Sequence, residues 1–228
     1  MGGRIVPPLL RLALSLVLSF MVTGAAGAGP LPPAPLAVLL FLKEAATGFI
    51  IGFAASLPFY FMEQAGFLVD AGRGGAMSVL LSPTGEEQAT PFSSLFFYLC
   101  VLFFFAGPAG ASFWMALEAS FRALPVFPAD SFGILQGKIL PVALATTGKL
   151  LLASVMLAFP VLLLVLLVDI LAGILGRFSP ASGSYFLSMP LRSAAGIGGG
   201  ILALLFLSPL VERMLLTAMD AVNALIIP

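Results

Sequence analysis

The chain has 228 residues, of which 61% are hydrophobic and 9% charged, with ten Lys and Arg balancing ten Asp and Glu. A soluble domain carries about 25% charged residues, so there is too little polar surface here to cover a water-soluble particle of this size. Zero net charge offers no basic excess for a phosphate backbone, and disorder needs low hydrophobicity with high charge; what remains is an integral membrane protein or a subunit buried in a membrane assembly.

In chain order, Arg4 and Arg11 precede an apolar stretch from Leu12 to Val22, and small residues follow from Gly24 to Gly29. This is the outline of a secretory signal peptide. It is equally the outline of an uncleaved first helix that stops at Gly29-Pro30-Leu31-Pro32-Pro33-Ala34-Pro35, where prolines remove backbone donors and disfavour helix before them. The pattern leaves both readings open. Leu36 to Met62 is almost wholly apolar, interrupted by Lys43-Glu44. Leu36–Leu42 is too short to span, Ala45–Met62 is near the lower limit for a spanning helix, and Pro58 is expected to kink or end it. Glu63 to Arg73 is polar and rich in glycine, and the spacing of Asp70 and Arg73 puts them on one helix face as a pair.

After the stub Met77–Leu81 comes Ser82-Pro83-Thr84-Gly85-Glu86-Glu87-Gln88-Ala89-Thr90-Pro91. Two prolines, a glycine and adjacent carboxylates do not make a lipid-facing helix, so this loop is expected to face water, a pore or another protein. Phe92 to Leu117 is a second long apolar run containing Gly107-Pro108-Ala109-Gly110, and Glu118 and Arg122 beyond it have the four-residue spacing of a helical ion pair. A turn over Leu124–Asp130 follows. Lys138 and Lys149 flank Pro141; Leu150–Val168 is uncharged and long enough to span, with Pro160 inside it and Asp169 at its end. Gly176 to Ser184 is a third break. Met189-Pro190-Leu191-Arg192 leads into the uncharged Ser193–Val211, and Pro209 precedes the last stretch. The reading is a single all-α unit over residues 1–228, with six or seven helical segments broken by Pro, Gly and charge. Such breaks are tolerated at membrane depth only where protein or a water-filled cavity covers them.

Catalytic motifs are missing. There is no His, which removes His triads and His metal sites. A nucleophilic serine would need Lys43, Lys138 or Lys149 as its base, and none lies in a Ser-x-x-Lys frame. Gly110-Ala111-Ser112-Phe113 lacks the second glycine of a nucleophile elbow. Glu86 and Glu87 are adjacent, so their side chains diverge. The single cysteine, Cys100, is expected to be a small buried hydrophobe. The chain is read as no enzyme, with no cofactor and no metal. Its informative residues are ionisable ones in apolar surroundings: Lys43, Glu44, Asp70, Arg73, Asp169 and Arg192. By default they mark a pathway or an interface; Asp169 and Arg192, at the ends of apolar runs, fit a membrane–water boundary instead. Gly48 and Gly52 have the G-x-x-x-G spacing that lets membrane helices approach.

Taken together, the breaks form an ordered series: Lys43-Glu44-x-x-x-Gly48-x-x-x-Gly52, then Glu63-x-Ala65-Gly66-x-x-x-Asp70-x-x-Arg73-Gly74, Pro83-x-Gly85-Glu86-Glu87-x-x-x-Pro91, Arg177-Phe178-x-Pro180, and Met189-Pro190-Leu191-Arg192. This series resembles the FliR/SctT family (with SpaR, YscT and HrcT) of the type III protein-export apparatus, over nearly the whole chain and in the right order. The Asp-x-x-Arg-Gly element looks like the injectisome branch. Two departures stand out. Ala71-Gly72 occupies the place where the family commonly has Asn-Gln. Family members also normally begin with one more apolar helix before the segment matching Gly3–Leu14, so the first family helix is expected to be missing here. The resemblance also makes the first apolar stretch an internal family helix rather than a cleaved leader.

The resemblance implies a multi-pass subunit of an export gate in the bacterial inner membrane, through which unfolded proteins cross. It implies SctR/FliP-like and SctS/FliQ-like partner subunits and a SctU/FlhB-like switch protein. It assigns Pro83, Thr84, Gly85, Glu86, Glu87, Gln88 and Pro91 to a segment that plugs the channel. Lys43, Glu44, Gly48, Gly66, Asp70, Arg73, Gly74, Arg177, Pro180, Pro190 and Arg192 become structural and interface positions. A small secondary transporter or channel is the rival reading, since broken helices and intramembrane charge suit it too; a scaffold without a pore-lining role is another.

Overall fold

The computed structural model describes residues 7–26, 33–75, 90–123, 131–178 and 184–226. They form six helices: α1 (Pro8–Ala26), α2 (Ala34–Gly72), α3 (Pro91–Ala106), α4 (Pro108–Ala123), α5 (Ser131–Phe178) and α6 (Ser184–Ile226). No strand occurs among the described residues, so the expected all-α, multi-helix architecture holds.

The breaks expected inside α2, α5 and α6 are not breaks, whereas the helices do end at the Gly/Pro-rich segments around 29–35, 82–91, 124–130 and 176–184. The 39-residue α2 runs without interruption through Lys43-Glu44, Pro58 and the polar stretch from Glu63. The 48-residue α5 passes through Pro141, Pro160 and Asp169, and the 43-residue α6 contains Pro190 and Pro209. The physical reason is the solvent. A proline removes one backbone donor and crowds one carbonyl, whereas unwinding a turn in apolar surroundings leaves several backbone groups without partners. The charges are accommodated by pairing: Lys43 is turned into the chain, 9% exposed, with its Nζ 3.4 Å from Glu44.

One further break is real. At Gly107 the chain bends by 68° between α3 and α4. Pro108 cannot donate to the preceding turn, and Gly107 takes an extended conformation while its N–H still bonds the carbonyl of Phe103 at 2.8 Å. A Cβ here would lie 2.6 Å from that carbonyl oxygen, so a side chain does not fit. The run Phe92–Leu117 is therefore a bent pair rather than one straight helix.

Three helices (α2, α5 and α6) are long and apolar enough to cross a membrane, and the bent α3–α4 pair can serve as a fourth span. All three exceed the need. At about 1.5 Å per residue the 48 residues of α5 extend ~72 Å, against a hydrocarbon core of ~30 Å. α5 and α6 pack along each other as a hairpin, with α2 and α3 against them. Met62, Val69, Phe96, Cys100, Val161 and Val211 form the fully excluded centre, so Cys100 is the buried hydrophobe it was expected to be. Phe59 bridges α2 to α3 through edge contacts with Phe97 and Phe104, at ring-centroid distances of 6.3 and 5.5 Å. Large apolar side chains such as Phe49, Phe105 and Leu205 remain more than two-thirds exposed, at 73%, 74% and 71%. That surface requires lipid or protein against it.

Candidate functional site: a carboxylate clamp joining three helices

The Asp-x-x-Arg-Gly element ends α2. Arg73 is the C-cap, and the backbone then reverses through Gly74 at φ 87°. The N–H of Gly75 donates to the Asp70 carbonyl at 2.8 Å and that of Gly74 to the Ala71 carbonyl at 3.1 Å. This pair of bonds is the Schellman closure of a helix, and it calls for a residue without a Cβ penalty at the left-handed position. Gly74 is thus explained by backbone geometry.

The side chain of Asp70 is wholly buried, and both of its oxygens are used. Oδ1 accepts from Arg73 Nε at 2.6 Å and also pairs with Nη2. Oδ2 accepts from the backbone N–H of Phe92 at 2.8 Å and of Ser93 at 3.4 Å. These are the first free amides of α3, because Pro91 has none. Thr90 is the N-cap of α3 but makes no side-chain capping bond, and its buried hydroxyl has no hydrogen-bond partner. The carboxylate of Asp70, on another helix, takes over that duty. It supplies the acceptor an N-terminus needs and places negative charge at the positive end of the α3 dipole.

Glycines let the parts close. A Cβ on Gly66 would sit 2.5 Å from Ser93 Cα and overlap the Phe92 carbonyl, so α2 and the start of α3 touch backbone to backbone. A Cβ on Gly196 of α6 would lie 2.5 Å from Arg73 Cβ, and one on Gly200 would overlap the Phe92 ring. Arg73 in turn lies over that ring, 5.1 Å from its centroid, a cation–π contact. Gly196 and Gly200, four apart on α6, make the concave seat for both side chains. Gly196, Gly200 and Phe92 are not among the positions singled out from sequence; the available signals were the G-x-x-x-G spacing at 196 and 200 and the Thr90-Pro91 helix start.

Of the positions singled out from sequence, Gly66, Asp70, Arg73, Gly74 and Pro91 come together here. Lys43 and Glu44 do not: they lie 27 residues earlier on the same helix, about 40 Å away along it. Arg192, one turn before Gly196, pairs with Asp169 across α5 and α6, with both side chains about one-third exposed, at 39% and 32%. The two charges, expected individually at a membrane–water boundary, are an interhelical pair. Glu118 and Arg122 pair at 2.5 Å on the open surface. Arg177 is exposed near the end of α5, and Pro190 is exposed on α6. Pro83, Thr84, Gly85, Glu86, Glu87, Gln88 and Pro180 lie outside the described residues. Among the described residues no group of carboxylates and cysteine is placed to hold a metal ion.

The family model for bacterial export proteins, family 1, matches residues 1–218. The chain belongs to this family. It is 31% identical over 189 residues to the Yop proteins translocation protein T of Yersinia pestis, covering 83% of this chain and 72% of that one. With the surface presentation of antigens protein SpaR of Shigella flexneri it shares 31% identity over 162 residues, 69% of this chain and 59% of the relative. The flagellar biosynthetic protein FliR of Escherichia coli (strain K12) is 23% identical over 218 residues, 94% of this chain and 81% of that one. The resemblance read from the ordered motifs is therefore a family relationship, and the Yersinia and Shigella relatives named here share higher identity with the chain than this flagellar one.

Proposed function

We propose that the chain is a subunit of a type III secretion export gate in the bacterial inner membrane, passing unfolded proteins in company with SctR/FliP-like and SctS/FliQ-like subunits and a SctU/FlhB-like switch protein. The observation that carries this reading is the family match across residues 1–218, with relatives named as translocation and secretion-apparatus proteins. Two physical features support it. The spanning helices are far longer than a bilayer is thick, and their apolar faces are left open by the chain's own packing. The role is mechanical rather than catalytic: the buried charges serve pairing and capping.

In this reading the Asp70 clamp holds the two ends of the 76–89 segment together. Residues 73–75 enter it and Thr90-Pro91-Phe92 leave it, and the clamp grips both sides. The segment Pro83–Pro91 is proposed as the channel plug, on its Pro, Gly and Glu content and its family resemblance. Lys43, Glu44, Gly48, Arg177, Pro180, Pro190 and Arg192 are proposed as structural and interface positions. The test is co-purification from membranes that express the candidate partner subunits. An export-gate subunit is recovered with different chains; a chain that purifies stably alone or as a homo-oligomer is the transporter of the rival reading.

A further inference from the structure

The start of α3 carries two side chains able to cap it and uses only one. Thr90 has the backbone of an N-cap: φ −88° and ψ 160°, outside the helical region. Its carbonyl already takes the first intrahelical bond, from the Ser94 N–H at 2.9 Å. Threonine is also a residue type whose side-chain oxygen closes helix starts, accepting from the second or third amide. Those amides belong to Phe92 and Ser93, and both go instead to Asp70 Oδ2 of α2, at 2.8 and 3.4 Å. Thr90 is 1% exposed, and its hydroxyl oxygen has no hydrogen-bond partner. A buried polar group in that condition is costly and calls for an explanation.

We propose that Thr90 is an alternate cap, and that the clamp therefore has two capped states. In the state described above, Asp70 caps α3 from the neighbouring helix and the Thr90 hydroxyl is idle. In the other, Asp70 withdraws from α3 and keeps its pair with Arg73. The Thr90 hydroxyl then turns about its own Cα–Cβ bond onto the Ser93 amide. Without Thr90, withdrawal leaves two amides bare in apolar surroundings, where water cannot replace the lost acceptor. With it, one of the two is taken up, and Ser93 is the amide that changes hands because its bond to Asp70 is already long. A hydroxyl serves one amide where the carboxylate serves two, and it brings no negative charge to the helix dipole. The Asp70-capped state therefore stays the favoured one. The consequence is a tie between α2 and α3 that can be undone without unwinding α3. The proposal rests on the geometry of the clamp and is independent of what the chain exports.

The test is a cycle of variants of the full chain in detergent, together with any partners that co-purify. It is read by hydrogen exchange over Phe92–Ser94 and by melting. Thr90→Val keeps the shape and removes the hydroxyl. In the wild-type background it should leave protection unchanged or slightly raised, because only an idle buried hydroxyl is lost. In the Asp70→Ala background the same change should speed exchange about fivefold further, the effect of ~1 kcal/mol, the usual worth of a cap. Thr90→Ser, which retains a hydroxyl, should not. Gly66→Ala gives a second background that keeps Asp70: its methyl meets the backbone of Phe92 and Ser93 and pushes α2 off α3. Thr90→Val should become costly there too. Thr146→Val, at a buried threonine of α5, is the control and should act alike in all three backgrounds. A Thr90→Val effect of equal size in wild type and in the altered backgrounds marks Thr90 as ordinary packing and overturns the proposal. So does the lack of an added effect in any altered background that folds. Should Asp70→Ala fail to fold, Gly66→Ala decides alone. None of these outcomes touches the export-gate reading, which partner recovery decides separately.

Discussion

Replacing Asp70 is the sharpest test of the clamp. Asp70→Ala removes a carboxylate with no exposed surface and leaves the Arg73 side chain, 15% exposed, without its counter-charge. Breaking one side of a buried pair costs about 3–5 kcal/mol. Loss of the acceptor for the Phe92 and Ser93 amides contributes roughly 1 kcal/mol of that, the usual worth of a helix cap. Against a total stability of about 5–15 kcal/mol, this is a large fraction, and the thermal midpoint in detergent should fall by on the order of 10 °C. The ranking is as informative as the size. Asp70→Asn keeps an acceptor for α3 and loses only the charge, so it should fall between wild type and Asp70→Ala. Arg73→Ala should be milder than Asp70→Ala, because Asp70 then still caps α3. The double variant should be less damaging than the sum of the singles by about 0.5–3 kcal/mol, the coupling of groups in direct contact. Melting curves and secreted protein at matched expression read out all four. Asp70→Ala that melts and secretes like wild type, or singles that simply add, would refute the clamp.

Three further predictions concern two glycines of α2 and its end and the Pro83–Pro91 segment. Gly66→Ala should destabilise by about 1–3 kcal/mol, because the new methyl meets the backbone of Phe92 and Ser93; Gly52→Ala, on the open face of the same helix, should be neutral or slightly stabilising, and equal melting shifts for the two would contradict the packing described. Gly74→Ala should cost about 1 kcal/mol or more, since the Schellman closure holds this residue at φ 87°; faster hydrogen exchange at the amide of Gly75 would report the loosened helix end. Deleting Thr84–Ala89 should raise the permeability of assembled complexes to a small solute if Pro83–Pro91 plugs the channel, and an assembled complex as tight as wild type would remove that assignment.

Composition alone determined the class of this protein. With 9% charge and 61% apolar residues, a chain of this length has no soluble solution, and helices are the way for a single chain to satisfy its backbone in apolar surroundings. The i, i+3 spacing of Asp70 and Arg73 also revealed their pairing, because both residues sit on one helix face. The extent of the helices was not legible. Pro58, Pro141, Pro160, Pro190 and Pro209 read as punctuation by the rules of water-soluble chains, yet α2, α5 and α6 continue through them, because unwinding has no water to turn to. Within the apolar run Phe92–Leu117, by contrast, the chain bends sharply at Gly107-Pro108, where a backbone contact excludes any side chain.

The tertiary structure alone decided the long-range partners of the charges. Asp169 and Arg192 are 23 positions apart in sequence, and nothing in either segment announces the other; the α5–α6 hairpin brings them together. Asp70 reaches amides 22 and 23 residues onward, a contact that exists because Gly66 permits α2 and α3 to meet backbone to backbone and because Gly196 and Gly200 leave room for Arg73 and Phe92. The same apolar composition that suggested only a membrane protein thus divides into two kinds of surface. One is spent within the chain around a capped and paired carboxylate. The other, from Gly48-x-x-x-Gly52 to the exposed flanks of α5 and α6, is left open, since six helices of this length have more apolar face than they can cover among themselves.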